Sequence, residues 1–168
     1  ESSIGKRTGT ERIDRIELRP SNPPSVPEAV KKILEADIIL LGPGSLYTSI
    51  IPNLLVDGIT DAITKSKATK IYVCNLMTQP GETDDYTVSD HVKAINRQAG
   101  GRVIDFVIAN NGDVDPAVLQ RYVATGSHPV IIDKKEVSQA GATLILSDLI
   151  NKENSATHDT KKLANVLF

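Results

Sequence analysis

The stretch that most limits how this chain can fold is Ala36-Asp-Ile-Ile-Leu-Leu-Gly-Pro-Gly-Ser-Leu-Tyr-Thr-Ser49. Its first six residues are too brief an apolar run for a helix, and they head straight into Gly and Pro, so they read as a buried strand. Gly42 and Gly44 then keep side chains away from the backbone, while Ser45, Thr48 and Ser49 supply hydroxyls. A backbone that bends at a strand end and presents free N–H groups can cradle a phosphate or another anion. The same glycines also suit a tight turn that only lets strand and helix pack. The number of hydroxyls favours ligand contact.

The surrounding pattern says what kind of sheet this strand joins. Apolar runs at 70–75 and 103–109 predict two more buried strands, and 143–146 and 130–132 two short ones. Between them, Val26, Ala29, Val30, Ile33 and Leu34 fall on one face of a helix over 26–35, with Ser25 and Glu28 at capping-box spacing. Further helices are predicted over 57–66, over 88–99 with Thr87 and Asp90 as caps, from Asp115-Pro116 to Val123, and over 159–168. Alternation at 12–18 predicts an early strand. Strands alternating with amphipathic helices make an α/β domain, with a mostly parallel sheet and helices on both faces. Right-handed crossovers gather the strand C-terminal ends on one rim, which receives loops 42–49, 75–85 and 110–115. Ligands bind such sheets at that rim, where the strand order reverses.

Charge and length remove several function classes. The 168 residues fit one domain, and a net charge of −2 with interspersed signs gives no broad positive field for nucleic acid. No run approaches a membrane span. The single cysteine, Cys74, excludes an internal disulfide and suits a reducing compartment, so the chain reads as soluble and cytoplasmic. The polar opening Glu1–Thr10 without Met suggests a piece of a longer protein.

Loop 42–49 is neither a P-loop nor a G-x-G-x-x-G fingerprint. The long loop 75–86 begins at a strand end, where Asn75, Thr78 and Gln79 suit hydrogen bonding to a base or sugar. Its acids Glu82, Asp84 and Asp85 fit a metal or a ribose, but read better as solvated groups near the positive end of the next helix. His91, His128 and His158 lack metal-ligand spacing and read as structural, as does Cys74. No nucleophile, base or metal site is assigned. Tyr122 suits either stacking on a base or packing at a core margin.

Three motifs then carry a resemblance: Leu40-Leu-Gly-Pro-Gly-Ser-Leu-Tyr-Thr-Ser-Ile-Ile-Pro-Asn-Leu-Leu-Val56, Val73-Cys-Asn-Leu-Met-Thr-Gln-Pro-Gly-Glu-Thr-Asp84 and Ser89-Asp-His-Val-Lys-Ala94. In this order they resemble the gluconeogenesis factor family, grouped with 2-phospho-L-lactate transferase. The resemblance implies a Rossmann-like fold and a regulatory role in gluconeogenic growth, cell shape and envelope-precursor supply. It also implies a nucleotide-sugar ligand such as UDP-N-acetylglucosamine, with no other cofactor specified. Gly42, Gly44, Ser45, Thr48 and Ser49 would then lie against its phosphates, Asn75 and Thr78 would line the cleft, and Tyr122 would match a family tyrosine at the pocket. The alternative it implies is a transferase using a nucleotide-activated donor. Family members open with a Gly-Gly-Gly-Thr-Gly loop and carry an Asp-Asp-Gly-Gly-Ser-Ser-Gly stretch, both absent here, so the chain resembles their C-terminal half. Many relatives have a basic residue before His158-Asp159-Thr160, where this sequence has Thr157. No protein partner is specified, and a homo-oligomer is compatible with the sequence.

Overall fold

Four apolar runs pair side by side: β1 (Ile38–Leu41), β2 (Thr69–Val73), β3 (Phe106–Asn110) and β4 (Thr143–Ser147) form an all-parallel sheet in the order β1-β2-β3-β4. The computed structural model describes residues 12–151 and 156–168, so the opening Glu1–Thr10 lies outside the described residues. Register sets Leu41 beside Tyr72, Tyr72 beside Val107 and Val107 beside Leu144, which puts these four on one face. Leu40, Ile71 and Phe106 line the other, together with Ile108 and Ile145.

Each face buries its own set of helices. The Tyr72 face packs the segment Leu46–Leu54, α3 (Ile59–Lys65), α4 (Val88–Gln98) and α6 (Lys134–Gln139). The Ile71 face packs α5 (Pro116–Ala124) and α7 (Thr160–Leu167) through Leu119, Tyr122, Leu163 and Val166. α1 (Pro27–Glu35) adds Ile33 beside α3. This is a Rossmann-like α/β fold with both faces covered. β1 is the exception: it forms an edge, and its side chains on the Ile71 face, Ile38 and Leu40, are 40% and 44% exposed. Parallel sheets are ordinarily covered on both faces, so among the described residues this edge lacks a layer.

Several sequence expectations change. The strand order never reverses among the described strands, so no switch point lies inside this sheet; a reversal needs another strand beyond β1. Residues 12–18 form no strand. Their alternation is satisfied against helices instead: Ile13 and Ile16 pack on the core, Arg12 stands 4.7 Å from the Tyr86 ring centroid, and the Gln98 amide donates to the Ile16 carbonyl at 2.9 Å. Residues 130–132 form no strand: Ile131 makes an isolated bridge with Thr87, and the preceding Pro129 one with Met77. Ser25 does not cap α1, because Pro27 starts the helix and leaves Val26 as its cap residue. The other two caps hold. Thr87 and Asp90 form a capping box, and Asp115 accepts from the amides of Ala117 and Val118.

Candidate functional site

β1 delivers the chain to Gly42, whose φ of +80° turns it off the sheet. A Cβ there would stand 3.0 Å from the Val73 carbonyl oxygen and 3.2 Å from Ile50 Cδ1, so only glycine fits without strain. The next residues wind into a helix that the sequence reading treated as loop. Leu46–Ile50 form a π-turn that continues into α2 (Ile51–Leu54), burying Leu46, Tyr47, Ile50, Ile51 and Leu54. The Ser45 carbonyl accepts from both Ser49 N–H and Ile50 N–H at 3.0 Å.

A residue from another loop caps this helix start. Glu82 is 5% exposed; its Oε1 accepts the Tyr47 N–H at 3.1 Å, and its two oxygens accept the Ser45 hydroxyl at 2.7 and 2.8 Å. Thr48 Oγ1 bonds Ser45 Oγ in turn. Three contacts on one acceptor-only group describe a carboxylate, and its charge complements the positive end of a helix. The expectation that Glu82 is a solvated acid is thus corrected. Asp84 and Asp85 are exposed.

Glu82 is held by its own loop. The Gln79 carbonyl accepts from the Glu82 and Thr83 amides, and Thr83 Oγ1 accepts from Gln79 N–H at 2.9 Å. Thr78 anchors the loop to a neighbouring segment: its N–H donates to the His128 carbonyl at 2.7 Å, and its hydroxyl accepts from His128 N–H at 2.9 Å. The facing wall is the start of α7. His158 Nε2–H donates to the Cys74 carbonyl at 3.2 Å, and Asp159 accepts from the amides of Lys161 and Lys162.

These walls enclose a cleft of about 600 Å³ at the C-terminal ends of β1 and β2, lined by Gly44, Ser45, Asn75 and Gln79 on one side and Thr157, His158 and Thr160 on the other. Leu76, Met77 and Leu163 form an apolar part of the lining. Of the residues singled out in the sequence, Gly44, Ser45 and Asn75 therefore meet in one place. Gly42 and Ser49 line a separate, largely apolar hollow of about 420 Å³ along the β1 edge with Ile33, Leu54 and Ile63. Thr48 lies behind Ser45, Thr78 is buried in its anchoring contacts, and Tyr122 packs into the apolar cluster that includes Met77 and Leu163. Sequence reasoning missed Glu82 and His158 as parts of the site. Only an acid following a strand-end loop hinted at the first.

His91 and the cleft-lining His158 share one electrostatic property. Burial holds the pKa of His91 and that of His158 below the ordinary 6.5. His91 is 0% exposed; its Nδ1–H donates to the Thr87 carbonyl at 2.8 Å, and its Nε2 has no partner among the described residues. Both rings are therefore neutral at pH 7, and the unfolded chain takes up their protons first as pH falls. Their contribution to stability is complete above about pH 6.5 and is lost as pH drops through the folded-state values. Urea unfolding at pH 7 and pH 5 is expected to give a lower midpoint at pH 5, and His91→Phe is expected to shrink the difference. A midpoint that stays level would refute this assignment. Cys74 is buried and its thiol is pushed up to about 12 by desolvation, which makes it inert. Among the described residues no cluster of His, Cys, Asp or Glu could hold a metal ion, and no helix is long and apolar enough to cross a membrane.

Comparison with known proteins places the chain. Residues 1–150 match the family described as 2-phospho-L-lactate transferase CofD. The chain belongs to this CofD family. Its similar members include the gluconeogenesis factor of Bacillus subtilis, 42% identical over 94% of this chain and 50% of the relative. The gluconeogenesis factor of Halalkalibacterium halodurans is 38% identical over 100% of this chain and 52% of its own length. A crystal structure of a Bacillus halodurans protein superposes with a TM-score of 0.92 at 37% identity, covering 99% of this chain and 53% of that one. The chain spans about half the length of these relatives.

Proposed function

We propose that the chain is the C-terminal part of a gluconeogenesis factor that binds a nucleotide-sugar, of the UDP-N-acetylglucosamine type, and regulates gluconeogenic growth, cell shape and envelope-precursor supply. The observation that carries this reading is the cleft where Gly44, Ser45 and Asn75 meet at the rim of a parallel sheet, the place where such sheets hold nucleotides. The bare β1 edge supports the rest. Its exposed Ile38 and Leu40 suit a sheet that continues into the remaining half, whose first strand would create the reversal of strand order that this half lacks. On this reading the present chain supplies one wall of the binding cleft.

Calorimetric titration of the full-length protein with UDP-N-acetylglucosamine tests the proposal: saturable binding is expected, and the 168-residue chain alone is expected to bind at least about tenfold more weakly, since a lost wall removes more than about 1.4 kcal/mol of contact. Full-length protein that shows no saturation contradicts it. A second reading, a transferase using a nucleotide-activated donor, draws on the Ser45 hydroxyl standing 2.7 Å from a carboxylate oxygen at the cleft. Against that reading, the carboxylate also holds the Tyr47 N–H and serves as a helix cap. Turnover of a nucleotide-activated phospholactate with a deazaflavin would decide for the transferase.

A further inference from the structure

A serine at a ligand cleft is normally counted as a hydrogen-bond donor to phosphate. Here the proton is already committed. Ser45 has one hydroxyl hydrogen, and both oxygens of Glu82 receive it. The bond between Ser45 Oγ and Thr48 Oγ1 must then take its proton from Thr48. The donors run in one direction, from Thr48 to Ser45 to Glu82, and each bond polarises the next. What Ser45 presents to the cleft is an oxygen that accepts. Glu82, nine-tenths and more buried, has no Lys or Arg side chain paired with it among the described residues, so the chain of bonds ends on a carboxylate held by hydrogen bonds and the helix start alone among those residues.

The lining of the opposite wall carries no Lys or Arg. The first turn of α7 opens toward the cleft through Thr160, but the Asp159 carboxylate already accepts the amides of Lys161 and Lys162. His158, neutral at pH 7, has committed its Nε2–H to the Cys74 carbonyl and keeps Nδ1 as an acceptor. Thr157 stands at the cleft without a positive charge. A phosphate oxygen brought to hydrogen-bonding distance of Ser45 Oγ would lie about 5 Å from the Glu82 carboxylate, close enough for repulsion to dominate.

We propose that Glu82 is a specificity-determining positioning residue: it fixes Ser45 Oγ as an acceptor at the cleft, a point that takes a donor group of a ligand, a sugar or ribose hydroxyl or an amide N–H, and turns its phosphates away. The inference rests on the nucleotide-sugar reading above and orients that ligand, sugar-hydroxyl face toward Ser45 and diphosphate toward the remaining half. It reverses the expectation that the hydroxyls of Ser45 and Thr48 cradle phosphate.

Glu82→Gln is the test, because it keeps the shape and, at Oε1, the acceptor for the Tyr47 N–H, while removing the charge and replacing Oε2, the second acceptor of the Ser45 hydroxyl, with an N–H donor. The probes are inorganic pyrophosphate and N-acetylglucosamine, titrated separately by NMR into the full-length protein and its variant. Pyrophosphate is expected to bind the variant at least about tenfold more tightly than the wild type, while N-acetylglucosamine gains nothing. Pyrophosphate that is unchanged, weaker or undetectable in both overturns the proposal, as does an equal gain for the neutral sugar. If Glu82→Gln loses its fold by circular dichroism, Ser45→Ala decides. It removes the cleft-facing acceptor and keeps the charge, so N-acetylglucosamine should weaken several-fold with pyrophosphate still excluded, and the opposite pattern overturns the proposal. Failure of UDP-N-acetylglucosamine to bind wild-type protein would instead sink the nucleotide-sugar reading, leaving the pyrophosphate comparison readable.

Discussion

Gly42→Ala is expected to destabilise the fold by about 2–4 kcal/mol, whereas Gly44→Ala is expected to change stability by less than about 1 kcal/mol. The contrast follows from geometry. Gly42 has φ +80°, a region that costs an L-residue about 1–2 kcal/mol. Its added Cβ would also press on the Val73 carbonyl oxygen at 3.0 Å, and that oxygen belongs to β2, which cannot retreat without disturbing the sheet. Gly44 has neither problem. A Cβ there meets Ser49 Cβ at 3.4 Å and Ile50 Cγ1 at 3.9 Å, ordinary contacts that relax easily. For a domain of this size, Gly42→Ala corresponds to a fall in Tm of roughly 5–15 °C. Urea denaturation of the two variants beside the wild type checks the ranking, and equal midpoints for both would contradict it. The sequence makes Gly42 and Gly44 equal members of the loop, because their lack of a side chain is visible there. The backbone angle that singles out Gly42 is not.

The same division runs through the rest of the molecule. Features governed by residues three or four apart, or by alternating apolar runs, were legible: β1 to β4, α1, α3, α4, α5 and α7, the Thr87–Asp90 capping box and the Asp115 cap all follow from local pattern. The π-turn and α2 were not, since Gly-Pro-Gly-Ser reads as loop and the helix start is capped by a carboxylate 35 residues away in sequence. Segment 12–18 failed for a related reason. Its alternation permits a strand, but whether a sheet edge or a helix surface receives Ile13 and Ile16 is decided by tertiary packing. The site divides in the same way. That Gly44, Ser45 and Asn75 meet at one cleft was legible because glycines and polar groups at strand ends mark a rim, while the burial of Glu82 against Ser45 and Tyr47 depends on tertiary packing.

Glu82→Ala is expected to cost about 2–4 kcal/mol, more than Glu82→Gln, for reasons that can be separated experimentally. Truncation leaves the buried Tyr47 N–H without an acceptor, removes the favourable charge at the helix start, and opens a void where the side chain was. Relief of the desolvation cost of a buried charge offsets part of this loss, which keeps the expected value below that of a broken ion pair. Glutamine retains an amide oxygen for Tyr47 N–H, so it loses the charge and one of the two oxygens that accept the Ser45 hydroxyl. A double-mutant cycle with Ser45→Ala isolates the hydroxyl–carboxylate bond, and a coupling of about 1.5–3 kcal/mol is expected for a hydrogen bond to a charged group. Coupling below about 0.5 kcal/mol would mean that Glu82 stabilises the helix start through Tyr47 alone. Ser45 would then be free to turn its proton into the cleft, and the acceptor polarity assigned to that wall would lose its structural basis.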